Sequence, residues 1–250
     1  MINHIKNIRI YHSDHKSFKV LRDKPIFSLI LKSGEYKKPF IEVIVTLMRD
    51  LNVYEKLTKD DLEDFIDDNV DYSSVEYSVE FPQSIINRFK YEFKRIYFNP
   101  KDFSDFRGDV LEFLMVYLEK DKENKIYHEP FFYYKRKRLL DKSIPGNNCL
   151  VDVVKVENEK KYITLIECKA SLDSKIKYMN KEKEFKSKLT YMNSLEDELS
   201  KYKTFKNEKL EINKTLASIK APKRKLPSEY ANFKIINLFD HFKRNEYNIF

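Results

Sequence analysis

Between Leu150 and Ser171 the chain reads LVDVVKVENEKKYITLIECKAS, two apolar runs joined by a short charged link, with one carboxylate in each run. Val151 to Val156 and Tyr162 to Cys168 are rich in β-branched residues, which favour strands. The link from Glu157 to Lys161 has the length and polarity of a hairpin connection. Such a hairpin sets Asp152 opposite or next to Glu167. Glu167 and Lys169, two residues apart, share one face of their strand. Two carboxylates and a lysine then converge at one end of the hairpin, an arrangement suited to a divalent cation and a water molecule.

The Glu-x-Lys spacing alone says little, because the chain repeats it at Glu35, Glu92, Glu123, Glu159 and Glu184. Glu167 differs in closing an apolar run, where an acid is costly to bury without a partner or a metal. A structural salt bridge is the competing explanation.

The flanking segments read as helices. Leu111, Leu114, Met115 and Leu118 form one stripe of a helix over about 104–120. Glu112 lies beside that stripe and is the candidate for a further site acid, with Asp109 one turn earlier as its substitute; an ordinary exposed helix acid is the alternative. Arg107 suits either a phosphate or a nearby carboxylate. After the hairpin, Phe185, Leu189, Met192, Leu195 and Leu199 fall at helical intervals in a lysine-rich stretch over about 174–210, which Asn207 interrupts. Phe233 to Leu238 reads as a late strand.

The first hundred residues predict strands at Ile8–Tyr11, Phe18–Leu21, Ile26–Leu31 and Val75–Phe81, and a helix over Phe40–Leu51. The acidic run KDDLEDFIDDNVD reads as a solvated helix face with Leu62, Phe65 and Ile66 turned inward. The expected architecture is α/β, with an accessory α/β region over 1–100 and a core over 101–250 in which a mixed sheet is flanked by helices.

A net charge of +8 and a pI near 9.1 admit a polyanionic partner without requiring one. The stretch HEPFFYYKRKRLL sets aromatic residues beside Lys135, Arg136, Lys137 and Arg138. That combination suits nucleic acid through stacking and phosphate contact; a strand with Phe131 and Tyr133 buried before a solvated basic turn suits it equally. Pro145 to Asn148 is a turn signal. Cys149 and Cys168 are too few for a disulfide framework and read as two small buried thiols, which with the lack of an apolar leader points to the cytoplasm. No run is long enough to span a membrane.

The order helix with Glu112, strand with Asp152, strand with Glu167-Cys168-Lys169, then helix resembles the PD-(D/E)XK nuclease superfamily, over about 104–210. Val151 departs from it, standing where the proline of the motif's name would be. The resemblance implies a restriction-endonuclease-like core that hydrolyses DNA phosphodiesters with Mg²⁺ or Mn²⁺. Asp152, Glu167, the carbonyl of Cys168 and Glu112 would hold the metal, and Lys169 would position the attacking water. RGDVLEFL, PGNNCLVDVV and LIECKAS are also similar to the nuclease subunits of Hachiman antiphage defence systems, which implies a helicase partner. A catalytically inert module of the same fold that binds nucleic acid or a protein is the rival expectation, and RNA an alternative substrate.

Overall fold

A computed structural model describes residues 7–12, 22–51, 57–120, 124–139, 151–157, 161–181, 183–202 and 208–244. The expected strand at Phe18–Leu21, the turn at Pro145–Asn148, Cys149, Asn207 and the last six residues lie outside them. Among the described residues β1 (Ile8–His12) is followed by the α-helices α1 (Pro25–Lys32), α2 (Lys37–Asp50), α3 (Lys59–Tyr77), α4 (Gln83–Tyr97) and α5 (Pro100–Leu118).

Two of the expected strands do not form: one is helix, the other the end of a helix and the loop after it. Ile26–Leu31 lies in α1, where Pro25 occupies the first turn and Ile26, Phe27 and Ile30 face the core; proline is preorganised for that position. Val75 belongs to the last turn of α3 and is 81% exposed, and the chain leaves that helix through Ser78 in the left-handed region. The expected helix around Phe40–Leu51 is α2. It is buried from Phe40 through Met48 except Thr46, as befits a helix enclosed by others. Thr58 and Asp61 form a capping box that starts α3, and Leu62 and Ile66 turn inward as expected. Its acidic face is partly paired, Asp67 with Lys90 and Glu63 with Lys94. The helix α4 was not anticipated, although Ile86, Phe89, Phe93 and Tyr97 give it a buried stripe. Over its described residues from 22 to 99, the region expected to be α/β is therefore helical.

The second half builds a five-stranded mixed sheet. Its strands are β2 (Lys125–His128), β5 (Val153–Glu157), β6 (Tyr162–Cys168), β7 (Glu211–Ser218) and β8 (Lys234–Asn237), side by side in that order. The pairs β2–β5 and β5–β6 are antiparallel, and β6–β7 and β7–β8 are parallel. Parallel neighbours need a crossover. Between β6 and β7 it is made by α6 (Leu172–Lys177) and α7 (Lys183–Leu199), two helices where one long one was expected; α8 (Leu238–Arg244) follows β8.

Strand alternation divides the core in two. Val153, Ile166, Cys168 and Ala217 pack with α1–α5 and α8, and Val154, Val156, Ile163, Leu165 and Leu216 pack with α7. The strand β7 escaped sequence reading because Lys214 interrupts it. That side chain is nonetheless buried, with its ammonium 2.6 Å from Asn193 Oδ1 and paired with Glu196. The chain is thus a mixed α/β protein whose mixed sheet is flanked by helices. Among the described residues no helix is long and apolar enough to cross a membrane.

A second sheet joins β1, β3 (Pro130–Tyr134) and β4 (Lys137–Arg138) in the order β1-β3-β4. Glu129, at φ 43°, redirects the chain from β2 into β3, and its amide donates to the Asp152 carbonyl at 2.8 Å. Ile8, Ile10 and Phe132 face the core, so the alternation is the reverse of the one anticipated: Phe132 is buried, while Phe131 and Tyr133 are only partly covered. The β3–β4 turn holds Lys135 at φ 46° and Arg136 at φ 69°. Positive φ at both central residues marks a type I′ turn, which usually takes Asn-Gly. A left-handed non-glycine residue costs about 1–2 kcal/mol. Arg136→Gly is therefore expected to raise stability by about 1 kcal/mol, read as a higher urea midpoint at unchanged slope.

Candidate active site

The β5–β6 register, Val153 opposite Ile166 through Glu157 opposite Tyr162, continues one residue further to set Asp152 opposite Glu167, as the hairpin reading anticipated. Both side chains are buried, Asp152 at 2% and Glu167 at 0% exposure. Asp152 Oδ2 accepts the Cys168 amide at 2.7 Å, which fixes it at the mouth of β5. Lys169 lies just past β6. Its amide donates to the Ala217 carbonyl at 2.9 Å, and its ammonium binds Glu167 and donates to the Cys168 carbonyl at 3.0 Å. It also lies 3.8 Å from Asp152 Oδ2.

A fourth group comes from α7. Lys188 Nζ stands 2.9 Å from Asp152 Oδ1 and 2.8 Å from Glu167 Oε1, so the two carboxylates converge on one cation. Lys188 was not among the expected residues. The available signal was its place three residues after Phe185 and four before Met192, on the apolar stripe of the helix. A lysine there must either snorkel outward or find an acid.

The four charges titrate unequally. Burial, reinforced by the neighbouring Asp152 charge, pushes the Glu167 carboxyl up to about 7 against the partial relief of Lys169 and Lys188. Burial also opposes ionisation of Asp152, but attraction to Lys188 and Lys169 and the Cys168 amide outweigh it and hold its pKa below the usual carboxylate value. Both lysines are held charged: burial disfavours their ammonium forms, and the two acids more than compensate. Glu167 Oε2 is buried without a hydrogen-bond partner. A buried carboxylate oxygen with no donor beside it calls for a cation or a proton.

The other expected residues lie elsewhere. Glu112, on α5, places Oε2 2.9 Å from Nε2 of buried His128 on β2. It stands near the thiol of Cys168, on the opposite face of the sheet from the carboxylate pair; burial, then the charges of Asp152 and Glu112, push that thiol well up. Glu112 thus neighbours the cluster through His128 and Cys168 without touching Asp152 or Glu167. Asp109 pairs with Lys24. Arg107 makes no ion pair among the described residues; its Nε is buried without a hydrogen-bond partner, and burial lowers its pKa. Lys135 to Arg138 form the hairpin of the smaller sheet.

Among the described residues no group of three or more His, Cys, Asp and Glu side chains is arranged to hold a metal. The oxygens here that could hold an ion are those of the two carboxylates and the Cys168 carbonyl, of the kind Mg²⁺ prefers while it keeps several waters. A cavity of about 480 Å³ opens away from this cluster, lined in part by Glu119, Lys155, Lys214 and His241. Its charges satisfy one another: Glu119 lies 3.0 Å from Lys155 and 2.8 Å from His241. No protein-family profile matches the chain, and no curated protein is significantly similar to it.

Proposed function

We propose that the protein is a metal-dependent nuclease that hydrolyses DNA phosphodiester bonds on a restriction-endonuclease-like core. The observation that carries this reading is the convergence of Asp152 and Glu167, from adjacent strands, on a single ammonium at 2.9 and 2.8 Å. The uncompensated second oxygen of Glu167 reinforces it. The element order α5, β5, β6, α7 and β7 supports the fold assignment.

Asp152, Glu167 and the Cys168 carbonyl are suited to hold Mg²⁺ or Mn²⁺. Bound there, the ion supplies Lewis-acid relief of phosphate charge and a water of lowered pKa. The residues do the rest. Lys169, tethered by Glu167 and the Cys168 carbonyl, orients the attacking water. Lys188 sits on a flexible stem and turns its charge toward a phosphate oxygen. Glu112, held by His128 on the other face of the sheet, stays outside this ligand set. The likeness to antiphage nuclease subunits makes phage defence the setting, with a helicase as partner and the cytoplasm as compartment.

One observation favours a second reading. Two lysines already neutralise the two carboxylates, as in a structural ion cluster of an inert module that only binds nucleic acid or protein. Cleavage decides between the two. Supercoiled, linear and single-stranded DNA, with RNA in parallel, are incubated in Mg²⁺, Mn²⁺ or EDTA. Wild type is expected to cut DNA in metal only, and Glu167→Ala and Lys169→Ala to cut at least about 100-fold more slowly. Equal cutting by these variants removes the mechanism. If wild type cuts nothing and binds Mn²⁺ no better than Glu167→Ala by calorimetry, the inert module stands.

A further inference from the structure

The outer face of the β1-β3-β4 sheet departs from what a half-buried antiparallel sheet normally shows to water. Alternation turns Ile8, Ile10 and Phe132 inward and leaves Arg9, Tyr11, Phe131 and Tyr133 outward. Outward positions are ordinarily polar, yet three of these four are aromatic, and Tyr11 is 47% exposed. The rings are held in place. Tyr11 and Tyr133 meet edge to face at 5.6 Å, Arg9 donates to the Tyr11 hydroxyl at 3.3 Å, and the Arg138 guanidinium lies 4.0 Å from the Phe131 centroid. At the tip, Lys135 and Arg136 occupy the strained left-handed turn. A sequence with glycine at the tip would fold more easily, so the presence of two cations there points to a use for them.

We propose that this face is a platform for single-stranded nucleic acid, with bases stacking on Tyr11, Phe131 and Tyr133 and the backbone following Arg9, Arg138 and the hairpin tip. The inference rests on the nuclease reading for its purpose but not for its evidence. One exposed and two partly covered rings at a cationic face complement unstacked bases and phosphates together; a duplex offers phosphates to the cations but no free base faces to the rings. The platform is wired to the candidate site: β3 begins one residue after Glu129, whose amide binds the Asp152 carbonyl. A strand lying along β3 from the tip would run toward Glu129 and the backbone of Asp152, and the platform would then set the substrate as an unpaired strand or end.

The test is binding of labelled oligothymidine, oligouridine and a DNA duplex in EDTA, where cleavage is suppressed. Wild type is expected to bind a single strand at least about tenfold more tightly than duplex. Tyr11→Ala and Tyr133→Ala should each weaken single-strand binding by about fivefold or more, with duplex binding unmoved. Tyr133→Phe, which keeps the ring, should retain it. Lys135→Ala with Arg136→Ala should flatten the salt dependence. The two oligonucleotides separate a DNA from an RNA preference. Unchanged single-strand binding in the tyrosine variants, a preference for duplex, or no nucleic-acid binding at all overturns the platform, the last leaving the face to a protein partner. Metal-dependent cleavage with an inert platform sinks this inference alone. A working platform on a protein that never cleaves sinks the nuclease reading alone.

Discussion

Glu167→Gln is expected to raise the thermal stability of the protein above pH 7 while abolishing cleavage. Glu167 is fully buried, and its pKa lies at about 7 against an ordinary 4.5. Between those two values the folded state holds a proton that the unfolded state has released. Stability therefore falls as pH rises through that window. A shift of that size corresponds to about 3 kcal/mol, and it already contains the attraction of both lysines, which is among its causes. Glutamine keeps the shape of the protonated acid and cannot ionise, so it avoids the loss. The variant should match wild type near pH 4.5, diverge through pH 7 and melt roughly 6–12 °C higher at pH 8. Thermal melts in EDTA across that range check it. A variant less stable than wild type at pH 8 would show that the lysines, and not burial and Asp152, set the state of Glu167. The proposed nuclease function would account for the stability cost carried by the native acid.

How much of this was legible in the sequence differs by element. The β5–β6 hairpin was readable because its signals agree: β-branched runs, a polar link, and carboxylates placed where the register pairs them. The α7 stripe was readable for the same reason. Ile26–Leu31 misled because a short apolar run does not distinguish strand from buried helix, and Pro25 was the neglected arbiter. Val75–Phe81 misled because its alternation spans a helix end and a loop that turns Phe81 into the core, while Val75 points to water. The strand β7 was hidden by Lys214, whose burial depends on Asn193 and Glu196 some twenty residues away. In the site, Asp152, Glu167 and Lys169 were found because sequence-near spacing brings them together. Lys188 was missed because only the crossover of α7 over the sheet reveals its partners, and the same holds for His128 beside Glu112. Local pattern reports which face a residue takes; it does not report what the opposing element offers to that face.

Asp152→Asn is expected to act in the opposite sense. Asp152 is buried like Glu167, but its pKa is held down, so the fold favours its charge. Its stabilisation is present above the ordinary value of 3.8 and is lost as pH falls through the depressed folded value. Asparagine can still accept the Cys168 amide, yet it leaves Lys188 and Lys169 with Glu167 alone. Breaking a buried pair from one side costs about 3–5 kcal/mol. The deficit should be largest at neutral pH and shrink in acid, the reverse of the pH trend for Glu167→Gln. The two substitutions also cannot add, because the Asp152 charge is one of the causes that raise Glu167. With Asp152 neutral, Glu167 ionises readily between two ammonium groups, and replacing it with glutamine then strands both lysines. Glu167→Gln should therefore stabilise the wild-type background and destabilise the Asp152→Asn background. A double-mutant cycle at pH 8 in EDTA reads this reversal directly. The same effect of Glu167→Gln in both backgrounds would mean that the two carboxylates do not share one field, and the case for a common cation site between them would go with it.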